Sequence, residues 1–470
     1  MHPVLFRLPW FSGGSIPFHS YGIMLGLSLI VGWYLTLGLA TRDGLPREPM
    51  ANCYVDTALM ALAGSRLLYI ATNPSEFTSF ASLVAFKNGG LVAYGGFIGG
   101  LLGSWLSLRF GIGFTALFRA LGRLFAKERP REWPRFPLLP WADVAVPSLA
   151  SGLFITRIGC YLFGCDFGQP LGERAPSWLK RLGTFPHWPE GSVDVGDGAP
   201  AWTAQVHAGL IPRSAPSSLP VHPTQLYESV TGLVLLIALL ALRKYQRFRG
   251  EVFLWFVFLY GAVRFVLELV RDDVERGDVP PAVAPHVLFP LCLGILGLGY
   301  SMGIAPRLRD PILRIATQVA AFAPAVAIYI AYRPQAFAVV IPVRLSTSQA
   351  VGFLSGVAAC VAFAVLDRRA ALRPNEAMAM PHFPGFEDEP AEEPRPAPTK
   401  KKPAPRSDVV TPKKTEAPKP VEPAVSEANP SKPLRAKAPQ IDVALHPDDV
   451  PLPSRADRAP RRKKKPKPDG

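Results

Sequence analysis

Two arginines, Arg157 and Arg264, interrupt stretches otherwise apolar enough to cross a bilayer. A guanidinium near the middle of a membrane helix costs at least ~3 kcal/mol on insertion scales, so it is normally kept for an anionic group or a pathway. The anion that suits this setting is a lipid phosphate. Arg264 opens the run Arg264-Phe-Val-Leu-Glu268-Leu-Val-Arg271. Its i, i+4 spacing puts Arg264 and Glu268 on one helix face within pairing distance. Glu268 can then neutralise and orient Arg264, with Arg271 one turn beyond. A purely structural ion-pair network is the competing reading. Against it, the set holds more cationic than anionic side chains, and surplus positive charge at that depth calls for an external anion.

Other constellations lie at helix ends of the same layer. Phe18-His-Ser-Tyr21-Gly22 reads either as an interface anchor or as part of a site. In Ala63-Gly-Ser-Arg66-Leu-Leu-Tyr69, Arg66 could snorkel outward, while its small neighbours suit close helix packing. The run from Asn88 through Tyr94-Gly95-Gly96 to Gly103 is dense in glycine. It admits two readings: helix packing, or free amides at a helix N-terminus turned toward an anion. Thr156-Arg157-Ile-Gly-Cys160-Tyr-Leu-Phe-Gly164-Cys165-Asp166-Phe-Gly168 and His222-Pro-Thr-Gln225-Leu-Tyr227-Glu228 complete the set.

The elements that must position these groups are membrane helices. The chain has 470 residues, 49% of them hydrophobic, and long apolar runs up to about Leu366. A hydrocarbon core ~30 Å thick calls for runs of ~20 apolar residues. The predicted spans are Tyr21–Ala40, Ala51–Ala71, Gly90–Phe110, Trp141–Gly164, Thr224–Leu242, Val252–Val270, Pro285–Gly303, Thr317–Tyr332 and Ala350–Leu366. Thr317–Tyr332 is the weakest, being short and broken by Pro324. The expected class is an all-α polytopic membrane protein of about nine transmembrane helices. Arg and Lys cluster after the first, third, fifth, seventh and last spans. By the positive-inside rule the N-terminus is expected outside and the C-terminus in the cytoplasm. Met1–Ser15 lacks the pattern of a cleavable signal peptide.

Residues 165–221 read as a small folded outer cap with its tryptophans at headgroup level. Residues 370–470, rich in Pro, Ala, Lys and Glu, read as a disordered basic tail. The formal charge of +15 sits mostly in the inner loops and this tail. It points to anionic membrane lipid, which the tail could contact, before any specific nucleic acid. The absence of an internal repeat argues against the repeat-built transporters. Five cysteines give no framework: Cys53, Cys292 and Cys360 read as packing residues, and Cys160–Cys165 as an awkward pair for a disulfide.

At these residues the chain resembles the prolipoprotein diacylglyceryl transferases, bacterial membrane enzymes that begin lipoprotein maturation. The resemblance rests on an ordered set: Tyr21-Gly22, Gly64-Ser-Arg66, Gly89-Gly90…Tyr94-Gly95-Gly96, Arg157-Ile-Gly159…Gly168, His222-Pro-Thr-Gln225-Leu-Tyr-Glu228 and Arg264-Phe…Glu268…Arg271. Leu345-Ser-Thr-Ser-Gln349 resembles the opening of the family's final span. The resemblance implies transfer of a diacylglyceryl group from phosphatidylglycerol to the lipobox cysteine of a prolipoprotein signal peptide, in the bacterial inner membrane. It also implies a core of about seven spans. Here that core would be residues 1–164, 222–283 and 345–369, with an inserted helix pair in 284–344.

Under it, Arg157 and Arg264 bind the phospholipid and stabilise the leaving phosphate, and Glu268 orients Arg264. Tyr94 and Tyr21 hydrogen-bond the headgroup or relay a proton. Arg66, Gly95, Gly96, Gly168 and Arg271 line the lipid site, while Asp166, His222, Gln225, Tyr227 and Glu228 fasten the outer loop. No metal-ligand cluster or nucleotide motif is evident, so no cofactor is expected. Many members carry His where Tyr94 stands, Asn at Cys160 and Glu near Cys165-Asp166, which leaves the proton acceptor open. A diverged, non-catalytic lipid-binding scaffold of the same fold is the alternative.

Overall fold

The computed structural model describes residues 3–9, 15–74, 77, 90, 92–123, 135–188, 198–272, 277–336, 339–380 and 383. A hairpin of β1 (Val4–Pro9) and β2 (Ser15–His19) leads into α1 (Ser20–Arg42). There follow α2 (Arg47–Thr72), α3 (Ala93–Phe110), the short α4 (Phe114–Arg123) and α5 (Leu138–Phe163). Two small helices, α6 (Ser177–Leu182) and α7 (Pro200–His207), belong to the cap segment. Then come α8 (Thr224–Arg243) and α9 (Glu251–Leu267), the latter prolonged by a 3-10 turn Glu268–Val270.

Strand β3 (Asp278–Val283) precedes α10 (Pro285–Gly299) and α11 (Pro311–Ala331). Strand β4 (Val343–Ser346), α12 (Thr347–Leu372) and the short α13 (Pro374–Ala377) close the described chain. Helices thus occupy every predicted span. By length and composition, seven of those described could cross a membrane. α2, with Arg47, Glu48, Asp56 and Arg66, and the glycine-rich α3 fall outside that group.

Three expectations change. The chain is mostly helical rather than all-α, because two antiparallel strand pairs are present. β3 pairs with β4 through Asp278↔Ser346 and Val283↔Val343, so the inserted segment leaves and re-enters at one point. That closure lets α10 and α11 be added without parting α9 from α12, which remain packed together. Second, the chain beyond Ala370 is not free. α12 runs to Leu372, Arg249 N–H donates to Ala377 O (3.0 Å), and Phe383 packs its ring 4.8 Å from that of Phe136. Residues 384–470 lie outside the described residues. Third, Trp188 and Trp202 are buried in the cap with Phe185 and Val221. Of the three tryptophans in residues 165–221, only Trp178 is exposed.

Close backbone approaches set the helix register. α2 and α3 meet through Gly64, Gly95 and Gly99, where an added Cβ would collide with backbone of the facing helix. α5 and α8 meet at Gly232, whose Cβ would stand 2.5 Å from Phe154 N. Ser229 Oγ also donates to Phe154 O at 2.8 Å, locking that register. α9 and α12 meet where Gly261 faces Gly352. Such small-residue contacts are how apolar helices gain packing that lipid cannot supply.

Two acids, the buried Asp143 and the partly exposed Asp43, fasten the other end of the bundle. Asp143 on α5 accepts from Gly250 N (2.5 Å), Phe253 N (3.0 Å) and Gln246 Nε2 (2.6 Å), satisfying amides at the start of α9. Asp43 pairs with Arg243 (2.7 Å) and Arg249 (2.8 Å). At the far end of the core, Ser346 and Gln349 form a reciprocal capping box that starts α12.

Gly352→Val would bring a branched side chain against Gly261 O, only 2.8 Å from the Cβ position. It should cost roughly 1–3 kcal/mol by overpacking, read as a lowered unfolding midpoint in detergent. Gly152→Ala on α5, where an added Cβ meets nothing within 4 Å, should leave that midpoint unchanged or higher.

Candidate active site

The register contacts bring four helix ends to one place. The Gly232–Phe154 approach carries Arg157, one turn further along α5, beside Glu228, one turn earlier on α8. In the same way the Gly261–Gly352 approach carries Arg264 of α9 beside Ser348 of α12, at 3.1 Å. Glu228, with its side chain 3% exposed, is the hub. Its carboxylate pairs with Arg157 Nε and Arg264 Nη1, and lies 3.5 Å from Arg271 Nη1. Glu268 Oε2 takes Arg264 Nη2 at 2.9 Å and Arg271 Nε at 3.9 Å. Asp166 bridges the rim, with Oδ2 2.5 Å from Arg157 Nη1 and Oδ1 2.6 Å from Arg271 Nη2.

This arrangement adds to one expectation and corrects another. Glu228, expected to fasten the loop, is also the anion that three guanidiniums share. The cluster also carries no cationic surplus among the described residues: Arg157, Arg264 and Arg271 face Glu228, Glu268 and Asp166. Exposure, not net charge, marks where a ligand could enter. Glu228 and Glu268 are sealed, whereas Arg264, Arg157 and Asp166 are 14%, 18% and 30% exposed at their side chains.

The loop after α5 reaches this network by a forced reversal. Gly164 adopts φ 85 and Asp166 φ 55, a left-handed conformation uncommon for a residue with a side chain. Thr224 Oγ1 donates to Asp166 O, and Gln225 Nε2 to Cys165 O, so the start of α8 holds the turn. Gly168 then threads between His222 and Arg271: Gly168 N–H donates to His222 O (2.9 Å), and Gln169 N–H to Val270 O (2.8 Å). A side chain at Gly168 would strike Val270 O and His222 Cβ. His222 Nδ1 contacts Tyr227 Oη at 3.2 Å, and burial lowers the imidazole below its ordinary value. Burial alone would raise the Asp166 carboxyl. Arg157 and Arg271 outweigh it and hold the group at about 2, so it stays ionised.

Tyr94 donates to Ser348 Oγ (2.7 Å), which in turn takes Arg264 Nη2, so the phenol reaches the guanidinium through one hydroxyl. Tyr21, 42% exposed at the start of α1, packs its backbone against Gly159, two residues along α5 from Arg157. Arg66 sits apart. Its guanidinium donates to Gly90 O (3.1 Å) and lies 5.0 Å from the Phe77 ring, partners outside the Glu228 network. Gly95 and Gly96 turn toward Gly64 and Ser65 of α2, so their Cα faces pack on that helix. Asn88 and Gly89 lie outside the described residues.

Sequence reasoning missed Thr224, although it stands inside the His222–Glu228 run, and gave Ser348 no role. It also expected no metal-ligand cluster. The turn in fact brings Cys160 Sγ, Cys165 Sγ and an Asp166 carboxylate oxygen within 4.8 Å of one another.

Glu228→Gln leaves three guanidiniums sharing a neutral amide. Breaking a buried ion network of this kind costs roughly 3–5 kcal/mol, measurable as a fall in the unfolding midpoint. Asp166→Asn, at the more open rim, should cost distinctly less.

A family profile described as prolipoprotein diacylglyceryl transferase matches residues 8–126 and 116–304. Several curated proteins named phosphatidylglycerol–prolipoprotein diacylglyceryl transferase are similar. That of Clostridium tetani is 25% identical over 297 residues, covering 63% of this chain and 96% of its own length. That of Thermus thermophilus is 28% identical over 256 residues, 54% of this chain and 80% of its own. That of Geobacter sulfurreducens is 28% identical over 318 residues, 66% of this chain and 97% of its own.

Proposed function

The chain belongs to the prolipoprotein diacylglyceryl transferase family, and we propose on that footing that its Arg157–Glu228–Arg264 network is where the donor lipid's phosphate is held. The reaction moves a diacylglyceryl group from phosphatidylglycerol to a prolipoprotein. The lipobox cysteine sulfur attacks the glyceryl carbon, a carbon–sulfur bond forms, and the carbon–oxygen bond to phosphate breaks. The thiol proton is lost, and the products are a thioether-linked diacylglyceryl prolipoprotein and glycerol phosphate. The enzyme needs no nucleophile of its own.

The observation that carries this reading is a pair of mostly buried guanidiniums, Arg157 and Arg264, each with an edge still exposed and both anchored on one sealed carboxylate. Anchored so, their outer edges are preorganised for the charge that develops on the departing phosphate. Arg157 Nη1 now lies against Asp166 Oδ2, and a phosphate oxygen competes for that edge. Planar guanidinium suits such two-point recognition better than an ammonium does. Glu268 and Ser348 fix the orientation of Arg264, and Tyr94 acts on it through Ser348. Tyr21, at the exposed start of α1, hydrogen-bonds the headgroup. Arg271 and Gly168 tie the cap turn over the lipid, helped by His222, Gln225 and Tyr227.

The reading extends to a multi-pass protein of the bacterial inner membrane. α2 and α3 span with the seven more apolar helices, the N-terminus faces outward, and the basic tail lies against anionic lipid of the inner leaflet. A signal peptide then reaches the site sideways from the bilayer.

Cells depleted of their own transferase and fed a fatty-acid analogue test the assignment. Wild type restores lipoprotein labelling. Arg157→Ala should reduce it at least ~100-fold, the scale of losing a transition-state charge partner. Arg264→Lys should also be impaired, for want of the bidentate fork. Full labelling by Arg157→Ala would remove that residue from the chemistry.

A further inference from the structure

The thiol pair at the end of α5 forms no ion pair of its own but borders the ion network, and the turn holds it closely. Cys160 lies on the last turn of α5, and Gly164 N–H donates back to Cys160 O at 2.7 Å. The left-handed residues Gly164 and Asp166 then fold Cys165 and the Asp166 carboxylate over Cys160. Cys165 Sγ stands 3.8 Å from Asp166 Oδ2, and Arg157 Nη1 stands 3.7 Å from Cys160 Sγ. Gln225 and Thr224 hold the turn from α8, gripping the carbonyls of Cys165 and Asp166.

We propose that Cys160, Cys165 and Asp166 form a binding site for a thiophilic divalent cation of the zinc class. The three donor atoms lie within 4.8 Å of one another. Donors around one tetrahedral zinc sit about 3.5–3.8 Å apart, given bonds of ~2.3 Å to sulfur and ~2.0 Å to oxygen. The donors need to draw together by roughly 1 Å to meet that spacing. Two sulfurs select against magnesium and calcium, which prefer all-oxygen shells.

The surroundings fit as well. A ligating carboxylate is normally held from behind by a second partner, and Arg271 holds Asp166 Oδ1 at 2.6 Å. Neighbouring guanidiniums do not repel the ion on balance. Two thiol protons leave as one dication enters, so the net charge of the site is unchanged.

Occupancy would draw Asp166 Oδ2 away from Arg157, which keeps its bond to Glu228. If the transferase reading above holds, one edge of Arg157 is then released toward the lipid phosphate. A three-donor set also leaves a position for water or an incoming sulfur, and a coordinated thiol is deprotonated without a protein base. The site itself does not depend on that reading.

The full chain in lipid nanodiscs, reduced and stripped with chelator, is titrated with Zn2+ against a chromophoric chelator. Cd2+ or Co2+ is added in parallel, to read thiolate-to-metal charge-transfer absorption. One metal per chain with the charge-transfer band is expected. The band should vanish in Cys160→Ser/Cys165→Ser and in Cys165→Ala alone, the milder change should the double variant misfold. Asp166→Asn should weaken binding at least ~10-fold. Cys292→Ser/Cys360→Ser, remote on α10 and α12, should bind as wild type does. Metal uptake equal in wild type and Cys165→Ala would overturn the proposal. So would thiols found joined as a disulfide whose reduction brings no metal affinity. Binding is read without any transfer assay, so failure of the site and failure of the transferase reading are told apart.

Discussion

One carboxylate, that of Glu228, holds three guanidiniums in a place walled by apolar helices. A charge removed from water is tolerated only when its partners are close and its remaining lone pairs are used. Everything that fixes α5, α8 and α9 relative to one another is therefore also a condition on this group. Gly232 lets α8 close on α5, and Asp143 ties the opposite end of α9 back to α5. Neither residue touches the cluster. Each nevertheless sets the distance across which Arg157 and Arg264 must reach the two oxygens of one carboxylate.

Much of the helix plan was legible because hydrophobic runs and terminal basic residues are local signals. Helices stand at every predicted span, even Thr317–Tyr332, where Pro324 argued for a weak one. The Arg264–Glu268 pair was legible for the same reason, since i, i+4 spacing needs only one helix. The Arg157–Glu228 pair was not. Its partners lie on separate helices and meet only after Gly232 has set the register, which no periodicity encodes. Glycines at 95 and 96 carried two readings in sequence, because an open amide and a packed helix look alike there. Their close neighbours on α2 show the packing, which only the facing helix reveals. Trp188 and Trp202 were misplaced at the headgroups for a related reason: composition cannot say that nearby chain will bury an indole.

The inserted pair shows how a core can grow without disturbance. Because β3 and β4 lie side by side, the addition is a closed excursion, and α9 still packs on α12 through Gly261 and Gly352. The addition is also anchored from below: Arg307 at its return pairs with Glu251 at the start of α9 and stacks over Phe248 and Phe363. α10 and its C-cap pack along α9 as well, with Phe289 against Phe265 and Tyr300 against Phe258.

Phe383 has a practical corollary for anyone who handles this protein. Its ring closes on Phe136, in the segment that joins α3 and α4 to α5, while Ala377 is bonded to the turn before α9. The last described residue thereby clasps the two halves of the polypeptide from beneath. An affinity tag or fluorescent fusion spliced on directly after α12 would unfasten that clasp, and any shortened version needs to keep the chain through this phenylalanine.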